Sequence, residues 1–134
     1  MKNNNFYKLI LILILNFIIL NKAHPEQFNF DVTEIEIFDK GNIYKGLKRG
    51  TIKTNDGIII EANTFIYNKI TNIVDAEGDV KVEDVVNNYV IFSDTATYKK
   101  NEEIIITQGN SKGIDDKNRT ITSDKITYNK ITNI

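Results

Sequence analysis

Cysteine and tryptophan are absent from this 134-residue chain, and proline, methionine and histidine occur once each. Each shortage removes a class of function. Without cysteine there is no disulfide, no thiolate metal site and no lipid attachment through an N-terminal cysteine. His24, the lone histidine, sits at the edge of the N-terminal leader. A His-dependent hydrolase or His-ligated zinc site therefore has no material in the body of the chain. No nucleophile has a base beside it in sequence, so the chain reads as non-catalytic, with no cofactor and no metal. Positive charge is also short. Three of the 17 basic residues (Lys2, Lys8, Lys22) and none of the 18 acidic ones fall in the first 23 positions. The rest carries 14 basic against 18 acidic residues, a net charge of −4. Such a body is poorly suited to nucleic acid, which selects a basic face.

What is present begins with an export signal. Lys2 and Lys8 precede an apolar run from Leu9 to Leu20, broken only by Asn16, and Lys22-Ala23-His24-Pro25 ends it. A positive start, an apolar centre of about 7–15 residues and a small residue near the cut describe a secretory signal. A retained membrane anchor is the alternative, although a spanning helix wants about 20 apolar residues. Residues 1–25 are thus read as an apolar helix that exports the rest, residues 26–134. A cysteine-free exported body of this size suits a bacterial periplasm.

The body reads as strands throughout, with candidates that include Phe28–Phe38, Ile73–Ala76, Asp79–Glu83, Tyr89–Ser93, Ala96–Tyr98, Ile104–Thr107, Ser111–Ile114, Thr120–Ser123 and Lys125–Tyr128. Short runs rich in Ile, Val, Thr, Phe and Tyr alternate with Gly, Asn and Asp clusters, and no sustained helical period occurs after Pro25. The heptapeptide Tyr-Asn-Lys-Ile-Thr-Asn-Ile occurs twice, at 67–73 and 128–134. Positions around it are phased. Tyr67, Tyr98 and Tyr128 recur at a spacing of about 30 residues, a period typical of stacked structural repeats. Ile60, Ile91 and Ile121 keep the same spacing, as do Ala62, Ser93 and Ser123, and Asn63, Asp94 and Asp124. Gly78 and Gly109 each follow their tyrosine at the same offset. An earlier, weaker copy has Phe30 in the tyrosine role and Gly41 in the glycine role, with an insertion within 45–50.

The unit is therefore a strand, a small residue, Asn or Asp, Tyr, a turn, a second strand, Gly and a third strand. A short polar side chain at the Asn/Asp position suits a bend or bulge. That bend switches the inward face from Ile60 and Ala62 to Phe65 and Tyr67. Glycine at the next corner suits positive φ or close packing. Strands bent at fixed corners once per repeat form an all-β, folded-over sheet or open roll whose copies stack by backbone pairing. The sequence stops at Ile134, which aligns with Ile73 and Ile104, partway through a unit. An open edge or a fragment of a longer protein would look the same, and the fragment is the preferred reading.

These residues resemble the OstA-like family, the periplasmic β-jellyrolls of lipopolysaccharide transport. The resemblance is carried by Ile60–Tyr67, its relatives Ile91–Tyr98 and Ile121–Tyr128, and Gly78–Val82. Asp79 departs from the family's Gly-Asn-Val form, and Ser111 departs from it in the next copy. The opening Phe28–Ile37 is most similar to the periplasmic domain of the outer-membrane assembly member, then to the soluble bridge member. The resemblance implies an apolar groove that holds lipopolysaccharide acyl chains and passes the lipid toward the outer membrane. It also implies partner jellyrolls joined by edge-strand pairing, and a periplasmic location associated with the outer membrane. Candidate groove-lining residues are Ile60, Ala62, Phe65, Tyr67, Ile73, Val80, Val82, Ile91, Ala96, Tyr98 and Ile104. An exported structural or adhesive β-solenoid with its interior filled by side chains is the competing class.

Overall fold

The structure, a computed structural model, describes residues 28–134. The leader expected at 1–25 lies outside the described residues. Ten strands follow in order: β1 (Phe28–Val32), β2 (Ile35–Phe38), β3 (Ile43–Gly46), β4 (Gly50–Thr54), β5 (Ile58–Ala62), β6 (Thr64–Asn68), β7 (Ile73–Asp84), β8 (Tyr89–Lys99), β9 (Ile104–Ile114) and β10 (Thr120–Asn129). A single 3-10 turn covers Asp39–Gly41. Every pairing is antiparallel.

The four long strands explain the shape. β7 pairs with β6 through Ile73–Glu77 and with β5 through Lys81–Asp84. Between the two stretches lie Gly78 and Asp79, both with positive φ (81° and 49°). The register with β8 shifts at the same place. β9 repeats the device with Gly109 (φ 80°) and Asn110 (φ 47°), and β8 and β10 bend opposite it, at Asp94 and Asp124. Glycine reaches this backbone region without a Cβ penalty, and Asn and Asp tolerate it better than other residues. Each long strand therefore crosses a corner and belongs to two half-sheets. One half contains β1, β4, β5 and one arm of each long strand. The other contains β2, β3, β6 and the opposite arms.

Side-chain alternation follows the corner. Ile60 and Ala62 are buried before it, and Phe65 and Tyr67 after it. The core is the space between the halves. Pairing register lines it in continuous rows: Tyr44–Tyr67–Val74–Tyr98–Ile105–Tyr128 on one half and Phe30–Ile52–Ile60–Val82–Ile91–Gly113–Ile121 on the other. Each fully buried Ile or Val contributes about 1.5–3 kcal/mol relative to exposure.

The structure departs from the sequence reading in four places. Phe28–Phe38, expected as one strand, is broken at Thr33-Glu34 into β1 and β2, one in each half. The expected pairs 73–76 with 79–83, 89–93 with 96–98, 104–107 with 111–114 and 120–123 with 125–128 are each one bent strand, since a bulge kinks pairing without ending it. Tyr44, not Phe30, occupies the tyrosine row of the first copy, because the extra residues before β4 displace the phase. Gly41 sits in the 3-10 turn with open space around it and is not a corner glycine.

Candidate functional site

Nine of the eleven candidate groove residues face the space between the half-sheets: Ile60, Ala62, Phe65, Tyr67, Val80, Val82, Ile91, Ala96 and Tyr98 are all buried. Ile73 and Ile104 do not. Val74 and Ile105 take the inward positions at 0% exposure, and Ile73 and Ile104 stand one residue off, half-buried. The reason is register: Tyr67 pairs with Val74 and Tyr98 with Ile105, and paired residues share a face. Phase between copies locates the strands, but it cannot by itself choose between adjacent β-branched residues.

The interior changes character along the stack. At the N-terminal end it is aromatic: Phe28 meets Tyr67 (ring centroids 4.6 Å apart) and Tyr98 (6.2 Å), and Phe30 stacks on Tyr44 (5.9 Å). Ile35 and Ile37 of β2 pair with Gly46 and Tyr44 at this end and remain exposed, which leaves an apolar lip. Toward β10 small hydroxylated residues join the interior near the bends, where Ser93, Thr107 and Ser111 are buried, while Tyr89 stacks on Tyr128 (4.6 Å) at the turns. Thr107 Oγ1 donates to Ser111 Oγ (2.9 Å), so these hydroxyls are satisfied inside the roll.

The side opposite the bends is the roll's seam, where the turns of the two halves meet. Three tyrosine corners build it. The Tyr67 hydroxyl donates to Asn72 (3.2 Å) and Tyr98 to Glu103 (3.0 Å), and the Tyr128 hydroxyl stands 3.1 Å from the Asn133 amide. Each partner stands at the same offset from its tyrosine and has φ near 55°. The turns also bond to one another: the N–H groups of Lys69, Lys100 and Lys130 donate to the carbonyls of Asn42, Asn72 and Glu103. Across the seam, Asp56 of the β4–β5 turn accepts from Lys100 (2.8 Å) and Lys130 (2.6 Å). Glu103 also contacts both lysines. Beside this cluster, Tyr128 donates to Asp84 (2.9 Å), and Asn87 donates to Asp84 (2.8 Å) and to the Lys130 carbonyl (3.3 Å).

The electrostatics agree with a closed latch. Burial alone would raise the Asp56 carboxyl, but the hydrogen bonds from Lys100 and Lys130 outweigh it and hold the group well below the usual carboxylate range. Burial pushes the Tyr98 hydroxyl far up, helped by Asp56 and Glu103. Burial, then the Asp84 carboxylate, does the same to Tyr128. None of these groups is poised for proton transfer near neutrality. No cluster of three or more His, Asp or Glu side chains suited to a metal occurs among the described residues.

The sequence reading does not find this latch, although part of its signal is there. Lys69, Lys100 and Lys130 keep the same phase as the tyrosines, and so do Asn72, Glu103 and Asn133. Asp56 lies outside the repeats and carries no signal.

Fold and interior together define the class: an open antiparallel jellyroll with an apolar interior. The chain belongs to the OstA-like protein family, whose sequence pattern matches residues 27–134. Among solved structures, it is similar to LptH, the LptA-homologous periplasmic component of the conserved lipopolysaccharide transport device from Pseudomonas aeruginosa. The superposition has a TM-score of 0.72 at 17% identity, and covers 80% of this chain and 78% of that one. At that identity the likeness establishes the fold. No curated protein sequence matches the chain.

Proposed function

We propose that this chain is a non-catalytic, periplasmic lipopolysaccharide-transport jellyroll that holds acyl chains between its half-sheets and hands the lipid on toward the outer membrane. Family membership supports the pathway, and the LptH-like fold supports the architecture. The observation that carries the reading is the unbroken set of inward rows running from β3 to β10, apolar over most of their length. An apolar trough of this kind binds by burial, at about 25 cal/mol per Å², without directional bonds. A lipid can slide along it because each step exchanges equivalent contacts. Partner jellyrolls would extend the trough by strand addition at its open edges. Acyl chains entering from the side would first part Asp56 from Lys100 and Lys130.

Photo-crosslinking tests this. A photoreactive residue at Phe65 or Tyr67, on the inward face, should form adducts with lipopolysaccharide in cells. The same residue at Ile66, which is 45% exposed on the opposite face, should not. Absence of adducts from every inward position would exclude the groove. The packed interior, with Tyr98 and Ile105 at 0% exposure, favours one other reading, a structural roll without lipid. That roll would yield no adduct at any of these positions.

A further inference from the structure

The seam carries a row of lysines at one fixed position per turn. Lys69, Lys100 and Lys130 each stand just past a corner tyrosine. Their backbone N–H groups all bond to the turn before, at Asn42, Asn72 and Glu103. Successive lysines are therefore held two strand spacings apart along the seam, about 10 Å. At the middle rung the passage from apolar to charged is graded. The Tyr98 ring is fully buried, its hydroxyl donates to Glu103, and Glu103 in turn bonds the Lys100 ammonium. An amphiphile with its chains between the half-sheets has the same order, and its polar head would lie at the lysines. Lys69, in the first turn, is exposed and makes no ion pair among the described residues.

Asp56 fills this place imperfectly. Lys100 and Lys130 both bond its Oδ2, and its Oδ1 is buried without a partner. A buried acceptor without a hydrogen bond is costly. Glu103 contacts the two lysines from their own side of the seam. Asp84, the other carboxylate beside the cluster, is already bonded by Tyr128, Asn87 and the backbone of its own turn. Parting the halves takes Asp56 away and leaves two ammonium groups against the one Glu103 carboxylate, so the open seam lacks one negative charge. A phosphate monoester supplies that charge and three strong acceptor oxygens, enough to serve each ammonium with an oxygen of its own.

We propose that Lys100 and Lys130 form a binding site for a phosphate group borne on the lipid, and that Asp56 holds the place of that phosphate while the roll is closed. This rests on the reading of the chain as a lipid-binding jellyroll, and it names the part of the lipid that the seam recognises. Loading is then an exchange of anions. The phosphate replaces the Asp56 carboxylate, and the lysines stay paired in both states. Lys69 extends the site by one rung, so the head group keeps a cation beside it as the chains slide along the trough.

The test is photo-crosslinking with the purified 134-residue chain, a photoreactive residue at Phe65, and two ligands: lipopolysaccharide, and the same preparation stripped of phosphate by a phosphatase. The intact lipid should load about fivefold better than the stripped one. Asp56→Asn frees the lysines and should raise loading of the intact lipid. Lys100→Gln breaks the same latch but should lower it. With the stripped lipid these two variants should load alike. Lys69→Gln leaves the latch untouched and should lower loading of the intact lipid about twofold. A latch that serves closure alone would give other signs: both latch variants would load more intact lipid, Lys69→Gln would change nothing, and the phosphate site would be overturned. Inorganic phosphate added to the stripped lipid should not restore loading; restoration would make this a site for free phosphate and overturn the head-group assignment. Equal crosslinking of both lipids refutes the phosphate site and leaves the groove standing, whereas crosslinking of neither refutes lipid binding itself.

Discussion

Replacing Asp56 by Asn removes the charge that draws the two halves together at the seam. The carboxylate accepts from Lys100 at 2.8 Å and Lys130 at 2.6 Å, and the two lysine side chains are only 16% and 14% exposed. A hydrogen bond to a charged partner contributes about 1.5–3 kcal/mol. Asp56 itself is 32% exposed, which screens part of that, and the amide of Asn can still accept one bond. A net loss of about 2 kcal/mol follows, and a fall in Tm on the order of 10 °C for a domain of this size. The pH dependence identifies the cause. The folded-state pKa of Asp56 lies below its unfolded value of 3.8, so its contribution is complete above about that pH. It is lost as pH falls from there through the folded-state value. Urea unfolding of both proteins from pH 7 to pH 2.5 measures this, because every other carboxylate titrates in both and cancels. The gap should be constant from pH 7 to about 5 and shrink below pH 4. Equal stability at pH 7, or a gap that persists unchanged to pH 2.5, would refute the latch.

Two further pairs of substitutions probe the corners and the register. Gly109→Ala has both positive φ and a carboxylate in the way, and should cost at least about 2 kcal/mol, whereas Gly41→Ala has open space and should cost about 1–2 kcal/mol for its φ alone; denaturant titration of the two variants separates sterics from backbone strain. Ile105→Ala empties a fully buried site and should cost about 2–5 kcal/mol, and Ile104→Ala, half-buried on the other face, should cost well under half as much. Equal losses at 104 and 105 in the same titration would contradict the observed register.

The repeat makes the fold legible from the chain alone. Strand positions, the corners at Asn63, Asp94 and Asp124 and the face switch from Ala62 to Phe65 all follow from phased residues whose chemistry suits a bend. Most of the inward set follows too, because alternation within a strand is strict once one inward residue is known. Where β-branched residues stand side by side, as at 73–74 and 104–106, alternation needs an anchor that only the partner strand supplies. The first copy is harder still. Its insertion breaks the phase, and nothing local marks Tyr44 as the true member of the tyrosine row. The seam is least legible, since Asp56 is far from Lys100 and farther from Lys130 along the chain. Contacts between a repeat and a non-repeated turn have no periodic signal.

Bends and seam place different demands on the same strands. At the bends, glycine and left-handed Asn or Asp fix the backbone through sterics and local bonds, and each corner is completed by the strand after it. Opening the halves there would break backbone pairing in four long strands. At the seam, closure depends on side chains: the rings of Phe28, Phe30 and Tyr89 against tyrosines of the other half, the Tyr128–Asp84 and Asn87–Lys130 hydrogen bonds, and the charges around Asp56. Rings part without breaking pairing, and charged groups regain water when they separate. Any opening of the roll that admits a ligand should therefore hinge at the corners and part at the seam. The corner residues then set the axis of the motion, and Asp56 with its two lysines sets much of its cost.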